Sequence, residues 1–320
     1  MYMDPKIITL LFLDLIFVLF GTVAFINACK ITLFYDADAT TPQQYTLEKQ
    51  SYLSATIIRF IFLVKIPLFI FFIYTLDSLA AVIPGAMCAA GVVTATPYGT
   101  PLLFLKILNL YLFAFWIVLN SEDMRHEAQP YLSVKFLLYC AAYLLLMAEI
   151  VTEIVLFTSL DIGSVVDCCG VLFSATNSSY LALLLHLKET ILLSIFYGLF
   201  VLLVVSYLKK AYRIYAIANI FYLIISVVTL IAFFGTYIYE QPSHHCPFCL
   251  LQGDYHYIGY FLYTALFIGT FNGVAVGLVR FSKEKRFGMV TNSLLFNTLY
   301  LIAVSCYPLF YYMHNGVWLK

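Results

Sequence analysis

The sequence predicts an all-α, polytopic membrane helix bundle of about eight transmembrane helices, built as a 4+4 parallel pseudo-repeat. Three observations predict it. Hydrophobic residues make up 63% of the 320 and charged residues 11%, against about 45–50% and about 25% in soluble domains. Mean hydropathy is +0.94. Eight separate stretches approach the roughly 20 apolar residues needed to cross a hydrocarbon core of about 30 Å. The 17 basic and 17 acidic residues cancel, so no basic field exists to attract nucleic acid.

The expected spans are Ile7–Ala28, Leu53–Leu76, Pro101–Asn120, Phe136–Phe157, Tyr180–Tyr207, Ile214–Tyr237, Tyr257–Val279 and Asn292–Tyr312. The first is too long for a signal-peptide core and lacks a small-residue cleavage site after it, so it is read as retained and ending near Cys29. Together the eight leave little chain for a soluble domain. Residues 1–320 are therefore read as one integral membrane domain with halves 1–160 and 161–320.

Basic residues orient the chain. Lys30, Lys49, Arg125, Lys135, Lys209, Lys210, Arg213, Arg280, Lys283, Lys285 and Arg286 fall in the loops after spans one, three, five and seven. The opposite side has only Lys6 and Lys320. By the positive-inside rule both termini face outward, across a bacterial inner membrane.

The three internal outward loops lack Lys and Arg and carry cysteine instead. Cys88 precedes the third span, Cys168-Cys169 the fifth, and His244-His245-Cys246-Pro247-Phe248-Cys249 the seventh. Cys306 lies in the outer half of the eighth span; Cys29 and Cys140 lie toward the inside. Outward cysteines meet an oxidising compartment, where they brace loops or exchange disulfides. A C-x-x-C pair closes too small a ring to be a strong brace. It suits exchange, with one thiolate attacking and the second resolving the mixed disulfide. Neighbouring histidines, when protonated, and a following helix N-terminus favour thiolate. A Cys168–Cys169 bond would be strained and easily reduced. Cys88 either pairs with one of these two or stands free as an entry thiol.

Cys246-Pro247-Phe248-Cys249-Leu250-Leu251-Gln252 resembles the C-P-x-C-[IL]-L-Q-R stretch of the bacterial disulfide-bond protein B family. Those proteins, like the similar vitamin K epoxide reductases, pass electrons from thiols to a quinone. The resemblance implies a redox pair at Cys246 and Cys249, a relay through Cys88, Cys168 and Cys169, a quinone acceptor near Gln252, and a periplasmic or extracellular thiol protein as partner besides membrane lipid. It covers seven residues. Gly253 stands where that family has Arg, eight spans replace four or five, and the other cysteines come before the pair rather than after it.

Ionisable groups within spans are the other functional suspects. Asp14, Lys106, Glu149, Glu153, His186, Lys188 and Glu189 all fall in the outer half, whereas Arg59 and Lys65 lie toward the middle or inside. Ion pairs of Lys106 or Lys188 with Glu149 or Glu153 would hold the bundle together. Alternatively Glu149, Glu153, His186 and Glu189, with Lys106 and Gln252, handle protons or bind a quinone headgroup. A di-metal carboxylate site fits less well, because the His-x-x-Glu order is reversed. Soft metal ions could instead meet His244, His245, Cys246 and Cys249, with His256 or Cys88.

Corresponding positions of Cys88 and of Cys246 with Cys249, between the second and third helix of each half, suggest the duplication. Duplication also suits a metal-ion or small-solute transporter, with a midplane site near Lys65 and Pro67. A disulfide-braced assembly subunit is a third reading. Asn177-Ser178-Ser179 matches a glycosylation sequon, and tyrosines near Tyr257 and Tyr311 read as an interfacial belt. The leading expectation is a membrane thiol–disulfide oxidoreductase acting at the outer face.

Overall fold

A computed structural model describes residues 4–36, 41–126, 129–161, 163, 165–166 and 188–319. Its helices are α1 (Pro5–Phe34), α2 (Pro42–Ala80), the short α3 (Ala89–Thr94), α4 (Gly99–Asp123), α5 (Leu132–Ser159), α6 (Glu189–Leu208), α7 (Tyr212–Tyr239), α8 (Ile258–Leu278) and α9 (Lys283–Asn315). All but α3 are long and apolar enough to span a bilayer, and the described residues contain no strand. The protein is an all-α, multi-pass membrane bundle.

Each predicted span is found, and two extend well beyond the apolar run. The second helix begins at Pro42 rather than Leu53, because the Thr41 side chain accepts from the Gln44 N–H and proline fills the first turn. Similarly α9 begins at Lys283, capped by Ser282. Caps are local signals, and helix continues past the hydrocarbon wherever one is supplied. Pro67 leaves α2 continuous, so no broken helix forms there. The start expected at Tyr180 lies outside the described residues.

The chain divides into two compact units. Unit 1 comprises Met1–Val82 and Val92–Ser164, and unit 2 comprises Ile83–Gly91 and Val165–Lys320. In unit 1, α1 packs on α2 and α5, and α4 packs on the same two helices. In unit 2, α6 packs on α7 and α9, and α8 packs on those two. Each unit is thus a closed four-helix ring in chain order.

Spacing explains the closure of unit 1. Buried positions on α1 are Ile7, Leu10, Asp14, Phe17, Gly21, Ala24, Ala28 and Ile31, alternating by three and four. On α4 they include Gly99, Leu102, Lys106, Asn109, Phe113, Trp116, Asn120 and Asp123, with the same alternation. That is the seam of a left-handed, coiled-coil-like bundle. Between the seams lie exposed apolar side chains such as Phe12, Leu15 and Leu19, the face suited to lipid. Below the charged layer, Phe62 stacks on Phe113 and meets Trp116 edge-on.

Unit 2 closes differently. Gly269 and Gly273 face Asn297 and Asn219, so closely that an added Cβ would lie 2.2 and 2.3 Å from their side chains. Small residues let helices approach where lipid offers no hydrophobic drive between them. Polar pairs fill the gap: Asn297 Nδ2 donates to Asn219 Oδ1 at 2.9 Å, and Ser293 Oγ donates to the Gly269 carbonyl at 2.6 Å.

Candidate functional site

The C-x-x-C segment lies between α7 and α8, and its Cys249 opens the first of two tight turns, Cys249–Leu251 and Gly253–Tyr255. Four contacts hold it. Tyr239, at the end of α7, donates its hydroxyl to the Cys246 carbonyl. Tyr263, on α8, donates to the Pro247 carbonyl at 2.7 Å. Gln252 Nε2 donates to the Met87 carbonyl at 2.9 Å, fastening the motif to the segment that carries Cys88. Gly259 completes the seat: a Cβ there would lie 2.9 Å from the Leu250 backbone, so only glycine lets the turn rest on α8. Between turn and helix, His256 and Tyr257 both adopt left-handed backbone angles, φ 54° and 56°. Such angles cost a non-glycine residue roughly 1–2 kcal/mol, which the packing on both sides must offset.

This seat gathers three sulfurs. Cys88 and Cys246 Sγ stand 3.5 Å apart, and Cys88, Cys246 and Cys249 lie within 4.8 Å of one another, all buried. The Cys88–Cys246 separation exceeds a disulfide bond of about 2.05 Å but leaves the sulfurs in contact. Cys168, Cys169 and His186, also expected near the site, lie outside the described residues.

The two histidines take other roles. His245 Nδ1 is bonded to the Ile231 carbonyl at 3.0 Å. Ile231 belongs to a π-helical turn, Leu230–Phe234, within α7. A π turn displaces carbonyls from the regular ladder and often marks a functional position; here it supplies the acceptor that anchors His245. The His244 ring stands edge-on to Tyr239, 4.4 Å between centroids. Neither belongs to the group of three sulfurs. Tyr255 also packs on Tyr239, 4.7 Å between centroids, and burial, then Cys249 and Asp254, raise its phenol above the usual range.

The charged residues form a separate site inside unit 1. Lys65 Nζ bridges Asp14 at 2.6 Å and Glu149 at 3.2 Å. Lys106 Nζ bridges Glu149 at 2.8 Å and Glu153 at 2.6 Å. Asn109 donates to the other Glu149 oxygen at 2.6 Å. Lys65, expected apart from the other charges, thus joins Asp14 and Glu149 in one layer. Glu189 and Lys188 are instead exposed at the start of α6. Lys135, read as a loop residue, is buried in the first turn of α5 and paired with Asp123 at 2.6 Å. Cys29 and Cys140 place their sulfurs 3.8 Å apart between α1 and α5, a pairing that sequence distance hid.

The described residues among those expected to hold a quinone fall in both units. Gln252 donates to the Met87 carbonyl, Gly253 packs against the Tyr257 ring where the resembled family has Arg, and Lys106 pairs with both Glu149 and Glu153 within unit 1. Comparison with known proteins found no matching family model, no similar curated protein and no similar solved structure.

Proposed function

We propose that the protein is a membrane-embedded thiol–disulfide oxidoreductase whose reactive centre is Cys88, Cys246 and Cys249, acting at the outer face. The observation that carries this reading is the contact of Cys88 Sγ with Cys246 Sγ at 3.5 Å, beside a C-x-x-C partner. Three mutually adjacent sulfurs permit a disulfide to migrate without an outside oxidant. When Cys246 and Cys249 are bonded, the Cys88 thiolate attacks Cys246. A Cys88–Cys246 bond forms, the Cys246–Cys249 bond breaks, and Cys249 leaves as thiolate with the electron pair. The reverse step returns it. A periplasmic or extracellular dithiol protein would then exchange two electrons with whichever disulfide is presented. Because the three sulfurs are buried, such exchange requires the Gln252–Met87 fastening to open.

A second reading has one observation in its favour. Three thiolates this close also suit a soft ion such as Zn(II) or Cu(I), with Zn–S near 2.3 Å. The ligand set would be Cys88, Cys246 and Cys249 rather than the pair of histidines.

Differential thiol alkylation with mass spectrometry separates the readings. Purified protein in lipid nanodiscs is treated with glutathione disulfide, with a soluble quinone, or with neither, and its bonds are mapped by peptide. Interconverting Cys246–Cys249 and Cys88–Cys246 bonds support the oxidoreductase; response to the quinone alone would add it as acceptor. Three cysteines that resist oxidation and retain stoichiometric metal would sink the reading in favour of the metal site.

A further inference from the structure

We infer that the charge network of unit 1 is a proton-binding site, holding one exchangeable proton shared between Asp14 and Glu153. The network runs Asp14–Lys65–Glu149–Lys106–Glu153. Each of the four helices of the ring contributes: α1 gives Asp14, α2 Lys65, α4 Lys106 and Asn109, and α5 Glu149 and Glu153. The five charged groups are almost wholly buried, Lys106 the most exposed at 7%. Three carboxylates face two ammoniums. Full ionisation would leave one uncompensated negative charge within the bilayer, a state that burial strongly disfavours. Protonating one carboxyl balances the network.

Hydrogen bonding says which carboxyl takes the proton. Glu149 receives Lys65 and Lys106 on one oxygen and Asn109 on the other, so its ionised form is the best supported. Asp14 and Glu153 each receive one lysine, on one oxygen. Asp14 Oδ2 and Glu153 Oε1 are buried and have no hydrogen-bond partner among the described residues. These two ends are therefore equivalent claimants, and the proton belongs to the pair rather than to either residue. A narrow cleft between α2 and α4, lined by Leu68, Phe69 and Leu110, reaches Lys65, Lys106 and Glu149. The inference is independent of the sulfur chemistry, which lies in unit 2.

The test is infrared difference spectroscopy of the full chain in nanodiscs across a pH step, with exchange into heavy water. The wild type should show one protonated-carboxyl C=O band that shifts in heavy water. Glu153→Gln and Asp14→Asn should each abolish it, because either leaves two carboxylates for two lysines. Thermal melting supplies the second readout: each single variant should melt no lower than wild type, and the double variant, with one excess positive charge, clearly lower. A band that persists in either folded single variant, no band at all, or a band displaced by added sodium ions would overturn the proposal. So would single variants that melt as low as the double.

Discussion

Cys88 and Cys246, 158 positions apart, bring their sulfurs to 3.5 Å. Two elements cause this. The Cys88 segment, Ile83–Gly91, follows α2 in the chain but is part of unit 2. The Gln252 amide then fastens it at Met87. If the contact is productive, removing the resolving thiol should trap it. Cys249→Ser protein, mildly oxidised, should accumulate a Cys88–Cys246 disulfide, read as a single cross-linked peptide pair. Cys88→Ser should abolish that peptide. A Cys249→Ser protein that keeps both thiols alkylatable under conditions that oxidise the wild type would show that proximity has no chemical consequence.

Gly259 has no room for a side chain, since a Cβ would touch the Leu250 backbone at 2.9 Å. Gly259→Ala should therefore lift the Cys249–Leu251 turn off α8. Overpacking of this kind costs about 1–3 kcal/mol. The sharper effect is expected at the site, where Cys246 and Cys249 should alkylate several-fold faster in folded protein. Gly288→Ala, whose surroundings are open, is the control and should leave both melting and labelling unchanged. Equal alkylation rates in the two variants would contradict the seating role of Gly259.

The two tyrosine hydroxyls make a separable contribution. Tyr239 and Tyr263 donate to the Cys246 and Pro247 carbonyls. A hydrogen bond of this kind contributes roughly 0.5–1.5 kcal/mol net. The double variant Tyr239→Phe/Tyr263→Phe keeps the rings and loses only the bonds. It should melt slightly lower, and Cys246 should become more reactive while Cys29 and Cys140 in unit 1 do not change. Uniformly raised reactivity of all cysteines would point to global loosening instead.

The fold was legible because a bilayer leaves a long apolar run few alternatives to a helix. The charged core was legible for a related reason. Apolar residues cover both the lipid face and the seam of α1, so hydrophobicity alone does not tell them apart, whereas Asp14 marks the seam at once. Lys106 and Glu149 mark theirs in the same way. What stayed hidden depends on contacts between distant segments. The sequence grouped Cys88 with the C-x-x-C pair without naming Cys246 as the sulfur it touches, and nothing near Cys29 names Cys140. The π turn at Leu230–Phe234 and the engagement of His245 with Ile231 have no sequence signature either. Asn109 escaped notice because a neutral amide in a span draws less attention than a charge, although it completes the donor set of Glu149.

The small-residue face of α8 makes a prediction about unit 2 alone. Gly273 lies where a Cβ would come within 2.3 Å of the Asn219 amide. Gly273→Leu should force α7 away from α8 and break the Asn297–Asn219 bond of 2.9 Å. A substantial fall in melting temperature is expected, larger than for Asn219→Ala, which loses the bond but keeps the close approach. The reverse order would mean that the polar pair, not the glycine, holds the helices.

The buried pair of Lys135 and Asp123 separates structure from chemistry. Their side chains meet at 2.6 Å with almost no exposure. Asp123 also accepts the Tyr131 N–H at 2.7 Å, closing the turn into α5. The Lys135 carbonyl accepts the Trp116 indole N–H at 2.8 Å, tying α5 to α4. Here one cation faces one carboxylate, so no proton is left over, in contrast to the layer around Glu149. Lys135→Met should leave Asp123 buried and uncompensated, with a loss of about 3–5 kcal/mol. The double variant Lys135→Met/Asp123→Asn removes both charges and should recover much of that loss. The measurement is unfolding in mixed micelles, with the infrared carboxyl band as a second readout. That band should be unchanged in the double variant, because this pair shares no residue with the network around Glu149. In the single variant an additional band should appear as Asp123 takes up a proton. If Lys135→Met melts like wild type and gains no band, Asp123 reaches solvent or another cation, and the pair is not a structural element.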